Sequence, residues 1–308
     1  MQVEAEHPVL ITNPEKLLWP EAGVTKAQYM QYLVNVAPWL LAHLRDRPIT
    51  MIRFPHGIHG HSFYQKDAPQ GAPEWVRTVP LWSDDRGEYI HPVVVDSVAT
   101  LLWLANLACL EMHVGFATLQ RPMTPTSIAF DLDPTVPGFE PVREVAMALH
   151  EVLEGLGLPH VPKTSGATGV QVFIPLANLD NGAGHSYEET RLFTAAVATY
   201  LEQKLPRIVT LERLKKHRGD KVYVDYLQHG HHRTLIAPYS ARATVHATVS
   251  TPLTWSELAG GAVPEQFTVH NVPSRLRKIG DLMNVGPGVR LEQITSVLKD
   301  AKAICALR

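Results

Sequence analysis

The stretch "SIAFDLDPTVPG", residues 127–138, decides how this chain is read. Ile128, Ala129 and Phe130 run into Asp131, Leu132 and Asp133, and Pro134 stops the run. In a β-strand, side chains at i and i+2 point to the same face. Asp131 and Asp133 therefore stand side by side, about 6.6 Å apart along a strand that rises about 3.3 Å per residue. Phe130 and Leu132 point the other way, into a core. Two close carboxylates repel, and a hard divalent cation with oxygen ligands offsets that cost. The plainer alternative is an Asp-x-Asp-Pro turn at a strand end.

A second acidic strand favours the cation. In "KVYVDYLQ" the alternation of Val222 and Val224 places Asp225 on the opposite face, together with Tyr223. Two strand carboxylates at i and i+2, with a third far away in sequence, suit a two-metal phosphoryl-transfer site. "KTSGATGVQVFIPL" adds a glycine turn leading into an apolar strand. Gly166 and Gly169 there let backbone N–H groups approach an anion, and Ser165 adds a hydroxyl. A structural turn uses the same residues. "LERLKKHRGDK" is a basic cluster just before the Asp225 strand, and Arg233 and Arg242 bracket "TLIAPYSAR" beyond it. Cations near acidic strands suit a triphosphate; a solvated helix end is the alternative.

The chain around these motifs is ordinary. Its 308 residues are 45% apolar and 19% charged, enough to bury a core. The formal net charge of −2 excludes a surface coated in basic charge, so any contact with nucleic acid is local. No apolar run is long enough to span a membrane as a helix. The start "MQVEAEHPVL" has no apolar segment of a signal peptide, so a cytoplasmic setting near the nucleoid is expected. Cys109 and Cys305 form no metal or disulfide pattern and read as buried thiols.

Helices are expected after Thr25, as N-cap, with Tyr29, Leu33, Val36 and Leu40 inward; over "DSVATLLWLANLACL"; over "PVREVAMALHEVLEGLG", closed by glycine; over "SYEETRLFTAAVATYLEQKL", opened by a Ser-x-x-Glu capping box; and over the terminal "LEQITSVLKDAKAICAL". Strands are expected in "PITMIRFP", "SIAFDLDP", "GVQVFIPL", "KVYVDYLQ" and "RTLIAPYS", with a short strand or loop at "HSFYQKDAP". Of Phe63 and Tyr64 at least one is expected to be buried. The "QHGHHR" loop, His229 to His232, reads as exposed; its clustered histidines could bind zinc, but the close spacing and the lack of cysteines favour the exposed loop. Strands and helices mix throughout.

The ordered set "NPEKLLWPEAGVTK", "FYQKDAP", "FDLDP", "KTSGATGVQV", "SYEE", "VYVDYL" and "APYSAR" resembles the polymerase domain of bacterial ATP-dependent DNA ligase D. That domain belongs to the archaeo-eukaryotic primase superfamily and acts in non-homologous end joining. The resemblance implies an α+β primase-polymerase fold: two mixed β-sheet layers, flanking helices and a central catalytic cleft, with residues 1–308 as one integrated catalytic domain. It implies a nucleotidyltransferase that extends DNA 3′ ends, with ribonucleotides preferred over deoxyribonucleotides. Asp131, Asp133 and Asp225 would hold two Mn²⁺ or Mg²⁺ ions. His113, Ser165, Gly166, Arg218 and Arg242 would contact the nucleoside triphosphate. Lys16 and Lys26 would recognise a DNA 5′-phosphate, and Phe63 and Tyr64 would stack on the template.

The chain also departs from the pattern. Gln171 stands where many members have histidine, and can donate to a phosphate or sugar oxygen without carrying charge. Gln228 stands where arginine is frequent. No Lys-x-Asp-Gly ligase motif occurs, so the chain reads as a stand-alone polymerase or as one domain of a longer protein, with a Ku-like end-binding protein and a DNA ligase as partners. Two rivals remain. "SIAFDLDPTVPG" with "RKIGDLMNVG" mimics haloacid-dehalogenase-type phosphatases, although Val285 replaces the second acid of the later motif. A non-catalytic binder of 5′-phosphorylated DNA ends is the other.

Overall fold

Strand Ser127–Pro134 is the centre of a five-stranded sheet in a computed structural model that describes residues 6–83, 86–177, 184–286 and 288–290. In spatial order the sheet runs Val161–Thr164, Val170–Pro175, Ser127–Pro134, Val222–Asp225 and Val209–Thr210. All neighbours are antiparallel except the last pair. Phe130 and Leu132 are fully buried beneath it, as the alternation requires. Helices Glu140–Gly155 and Tyr187–Lys204 cover that apolar face, with Phe193 edge-on to Phe130 at 6.3 Å.

The helix ends follow their sequence signals. Ser186 and Glu189 make a reciprocal capping box at one N-terminus. The other helix closes through Gly157 at φ +65°, where the N–H groups of Gly157 and Leu158 donate to the carbonyls of Glu154 and Leu153. That is the 5→2 and 6→1 pairing of a Schellman motif, which needs a left-handed residue.

This sheet belongs to one of two compact units, built from Phe116–Arg233, Pro252–Pro264 and the described residues from Leu282 onward. The other unit comprises the residues up to Gly115, Thr234–Thr251 and Glu265–Asp281. Its sheet has four strands in the order Thr234–Ile236, Cys109–Gly115, Ile49–Arg53 and Phe63–Gln65. Every pairing in it is antiparallel, so only the larger sheet is mixed. Helix Lys26–Leu44 starts at Thr25, in a capping box with Gln28, and buries Tyr29, Leu33, Val36 and Leu40. The Tyr29 hydroxyl donates to the carbonyl of Cys109 at 2.9 Å.

Three expectations are corrected. The apolar run from Asp96 to Leu110 is not one helix. Helix Val98–Asn106 ends in a turn through Ala108 at φ +55°, and Cys109 already begins the next strand. Apolarity alone does not distinguish a buried helix from a buried strand. Neither Phe63 nor Tyr64 is buried: they lie on the edge strand, Phe63 half-covered by the Arg53 guanidinium at 4.9 Å and Tyr64 exposed. His229 is fully buried, edge-on to Phe116 at 4.7 Å and 2.7 Å from Thr190 Oγ1, while His232 is exposed. Cys109 is a buried thiol as expected. Cys305 and the expected terminal helix lie outside the described residues.

Candidate active site

The polar face of the five-stranded sheet carries a row of side chains that no single segment of sequence displays. Strand register aligns Lys163 with Gln171, Gln171 with Asp131, and Asp131 with Asp225. Residues opposite one another in antiparallel strands point to the same face. The Lys163 ammonium, fully buried, donates to Gln171 Oε1 at 2.6 Å. The Gln171 amide in turn donates to Asp131 Oδ1 at 3.1 Å. Gln171 thus relays a positive charge toward a carboxylate, with both ends of its carboxamide engaged.

Asp131 needs that relay. Burial pushes its carboxyl up to about 8, Asp133 and Asp225 push in the same direction, and Gln171 and Lys163 oppose them. Three carboxylates that disfavour one another's charge, with only oxygen donors, are the setting a hard divalent ion fits. Asp225 ends its strand and caps the next turn: its Oδ1 accepts from the Tyr223 hydroxyl at 3.1 Å and from the Gln228 N–H at 3.0 Å. Arg218 lies over the Tyr223 ring at 3.7 Å and donates to the carbonyls of Glu212 and Arg213. Next to Asp225 opens a cavity of about 810 Å³ whose lining includes Arg191, Arg213, Arg233, Tyr187 and Tyr226.

The turn "TSGATG" is tied inward. Ser165 Oγ accepts from the N–H groups of Ala167 at 3.2 Å and Gly169 at 3.0 Å. The Gly169 amide is therefore committed within the loop, and Ser165 keeps its hydroxyl proton as the group it can present. Gly166 takes the left-handed turn at φ +73°. Gly169 is glycine because a Cβ there would lie 2.6 Å from the carbonyl of Leu132 and 3.1 Å from Asp133 Oδ1.

The other unit holds a second cluster. His113, on strand Cys109–Gly115, places Nε2 3.2 Å from Glu111 Oε2. Arg242 Nε lies 3.2 Å from Glu111 Oε1, an ion pair rather than an aligned hydrogen bond. Burial pushes the Glu111 carboxyl up, but His113, Arg242 and the Ala243 N–H outweigh it and hold the acid below its usual value. Glu111 is thus the shared anchor that orients His113 and Arg242. Lys26 opens its helix with the side chain buried, and its ammonium donates to the carbonyls of Thr12 at 2.7 Å and Asn106 at 3.0 Å. Lys16 donates to the carbonyl of Pro55. Burial and the nearby Lys16 charge lower the Lys26 pKa.

Sequence reading missed Lys163 and Glu111. Glu111 had a signal, since it sits two residues before His113 on the same face. Lys163 had none, because its place depends on register across three strands. The phosphatase alternative loses its second motif: Asp281 pairs with His43 at 2.8 Å and accepts from the Tyr239 hydroxyl at 2.6 Å, in the other unit.

Comparison with known proteins identifies the family. The model of the family "LigD, primase-polymerase domain" matches residues 25–283. The bifunctional non-homologous end joining protein LigD of Bacillus subtilis is 38% identical over 276 residues, 89% of this chain and 43% of that protein. The multifunctional non-homologous end joining protein LigD of Mycobacterium bovis is 35% identical over 289 residues, 91% of this chain and 37% of its own length. The chain therefore spans about two-fifths of these relatives. A solved structure of the polymerase domain from Mycobacterium tuberculosis ligase D, in complex with DNA, superposes with TM-score 0.81 at 34% identity, covering 90% of this chain and 97% of that one.

Proposed function

The chain belongs to the LigD primase-polymerase family of nucleotidyltransferases, and on that premise we propose that it extends DNA 3′ ends during double-strand break repair by end joining. The observation that carries this reading is the row Lys163, Gln171, Asp131, Asp225, with Asp133 beside it. Asp131, Asp133 and Asp225 would hold two divalent ions, Mn²⁺ or Mg²⁺. When bound, these ions supply Lewis acidity at the attacking primer 3′-hydroxyl and at the triphosphate. Gln171, fixed by Lys163, keeps the Asp131 carboxylate oriented and partly neutralised. Tyr223 and the Gln228 N–H hold Asp225 in one rotamer.

His113, Arg242, Arg218 and Ser165 would bind the triphosphate of an incoming nucleotide, ribonucleotides in preference. The Gly166 turn would present the Ser165 hydroxyl for this. Gln171, its carboxamide already engaged, would reach the nucleotide only by exchanging a partner. Lys16 and Lys26 would receive the 5′-phosphate of the downstream strand by exchanging the backbone carbonyls that their ammoniums engage; Lys26 opens a helix, and a helix N-terminus favours an anion. Tyr64 and Phe63, on an exposed edge, would stack on template bases. Arg191, Arg213 and Arg233 around the cavity beside Asp225 suit the phosphates of the primer strand. Residues 1–308 would act as one catalytic domain, since the chain crosses between its two units several times. A DNA ligase and a Ku-like end-binding protein are the partners this work requires. Among the described residues no helix is long and apolar enough to cross a membrane, and the proposed setting is the nucleoid.

The test is extension of a labelled primer on gapped DNA, with and without a 5′-phosphate at the gap, with Mn²⁺ and either ribo- or deoxyribonucleotides. Extension stimulated by the 5′-phosphate supports the reading. Tight phosphate-dependent binding with no extension would establish a non-catalytic end binder instead.

A further inference from the structure

Helix Glu140–Gly155 carries His150 and Glu154 one turn apart, and the loop after it brings back His160. One nitrogen from each histidine and a carboxylate oxygen of Glu154 all lie within 4.8 Å of one another. The His150 Nδ1 to His160 Nε2 distance is 2.8 Å. His160 Nδ1 lies 2.7 Å from the carbonyl of Leu158, which can only accept. Nδ1 must then carry the proton, and Nε2 presents its lone pair to His150. A backbone carbonyl on the far nitrogen is the arrangement that fixes the tautomer of metal-ligating histidines.

Both rings are held before any ion arrives. His150 stacks on Trp255 at 4.1 Å and 11°, and Trp255 Nε1 donates to the carbonyl of His160 at 3.2 Å. Glu154 lies in the last turn of its helix, the negative end of the helix dipole, and that turn has no basic residue. A cation there removes an unfavourable placement that a histidine–histidine hydrogen bond leaves untouched.

We propose that His150, Glu154 and His160 form a site for one divalent transition-metal ion, zinc foremost, built from residues that nucleotidyl transfer does not use. Two imidazoles and a carboxylate with an open fourth position are a frequent zinc set. Tetrahedral bonds of about 2.0–2.2 Å place ligand atoms about 3.3–3.5 Å apart, so ion binding needs the two rings to part by about 0.5 Å and the His150 proton to pass from Nδ1 to Nε2, which frees the Nδ1 lone pair. The ion would pin the end of the helix to the start of strand Val161–Thr164, which carries Lys163. Its role is structural: it fixes the strand that positions the Lys163–Gln171 relay.

The probe is Co²⁺ titrated into the tag-free, metal-stripped chain, followed by visible absorption, with Zn²⁺ then added in competition. Four-coordinate Co²⁺ with nitrogen ligands gives intense visible bands, whereas six-coordinate oxygen sites give faint ones, so the carboxylate row does not interfere. The proposal expects intense bands that Zn²⁺ abolishes at one equivalent. It expects Co²⁺ affinity at least tenfold weaker in Glu154→Gln and bands absent in His150→Ala. Glu154 is exposed, so its substitution leaves folding intact and the comparison interpretable. Faint bands only in the parent chain, or an affinity in Glu154→Gln within about twofold of it, would overturn the site.

Discussion

Asp131 keeps its proton in the fold far longer than an ordinary aspartate, because burial, Asp133 and Asp225 all disfavour its charge. An acid whose folded pKa lies near 8 and whose unfolded pKa is about 3.9 costs more stability as pH rises between the two values. The melting temperature of the metal-free chain should therefore fall across that window more than that of Asp131→Asn. Mn²⁺ should raise it more at pH 8 than at pH 5. Equal pH profiles for the two proteins, or equal Mn²⁺ effects at both pH values, would show that the carboxylates do not gather as described. Lys163→Met should lower metal-dependent extension by about 10–100-fold at limiting Mn²⁺, as loss of a ligand-orienting group does, with recovery at high Mn²⁺. At this scale the three aspartates were legible because two-residue periodicity puts Asp131 and Asp133 together on the face opposite Phe130 and Leu132, and Asp225 opposite Val222 and Val224. Lys163 was not, since a cross-strand partner is set by register. Nor was the burial of His229, which depends on Phe116 and Thr190, distant in sequence, closing over it.

The element that holds the site is the pair of strands Ser127–Pro134 and Val170–Pro175 with the turn before the second. Gly169→Ala would put a methyl against the Leu132 carbonyl and Asp133 at the same time. It should cost about 1–3 kcal/mol in chemical denaturation and reduce extension disproportionately, because Asp133 must move. An alanine variant with unchanged stability and activity would mean that the turn has room the geometry denies. On the opposite face, Phe130→Ala should cost about 3–5 kcal/mol with no specific loss of metal affinity in the protein that remains folded. Element boundaries were legible at Thr25, the expected N-cap, and at Ser186, whose expected capping box with Glu189 formed; helix Trp255–Ala259, opened by Thr254 with Glu257, was not expected. The end of helix Val98–Asn106 was not, because alanine at a left-handed position leaves no compositional mark.

Taken whole, the chain distributes the proposed site residues over two units, the carboxylates and the Ser165 turn in one, His113, Arg242 and the lysine pair in the other. Its near-neutral balance of charge agrees with recognition through a few placed cations rather than a basic surface. Lys16→Ala should remove most of the stimulation by a 5′-phosphate, about tenfold, and leave extension on unphosphorylated gaps unchanged. Equal losses on both substrates would move Lys16 out of the phosphate pocket. The fold class was readable from mixed strand and helix signals together with the ordered motifs. The two-unit division was not, because each unit is assembled from segments far apart in sequence. The most direct test of the central claim is Mn²⁺-dependent primer extension on 5′-phosphorylated gapped DNA by the parent chain beside Asp225→Asn, a substitution that keeps shape and removes charge. The account predicts ribonucleotide addition by the parent and at least a thousandfold loss in Asp225→Asn, with DNA binding retained. Extension by Asp225→Asn at the parental rate would contradict it.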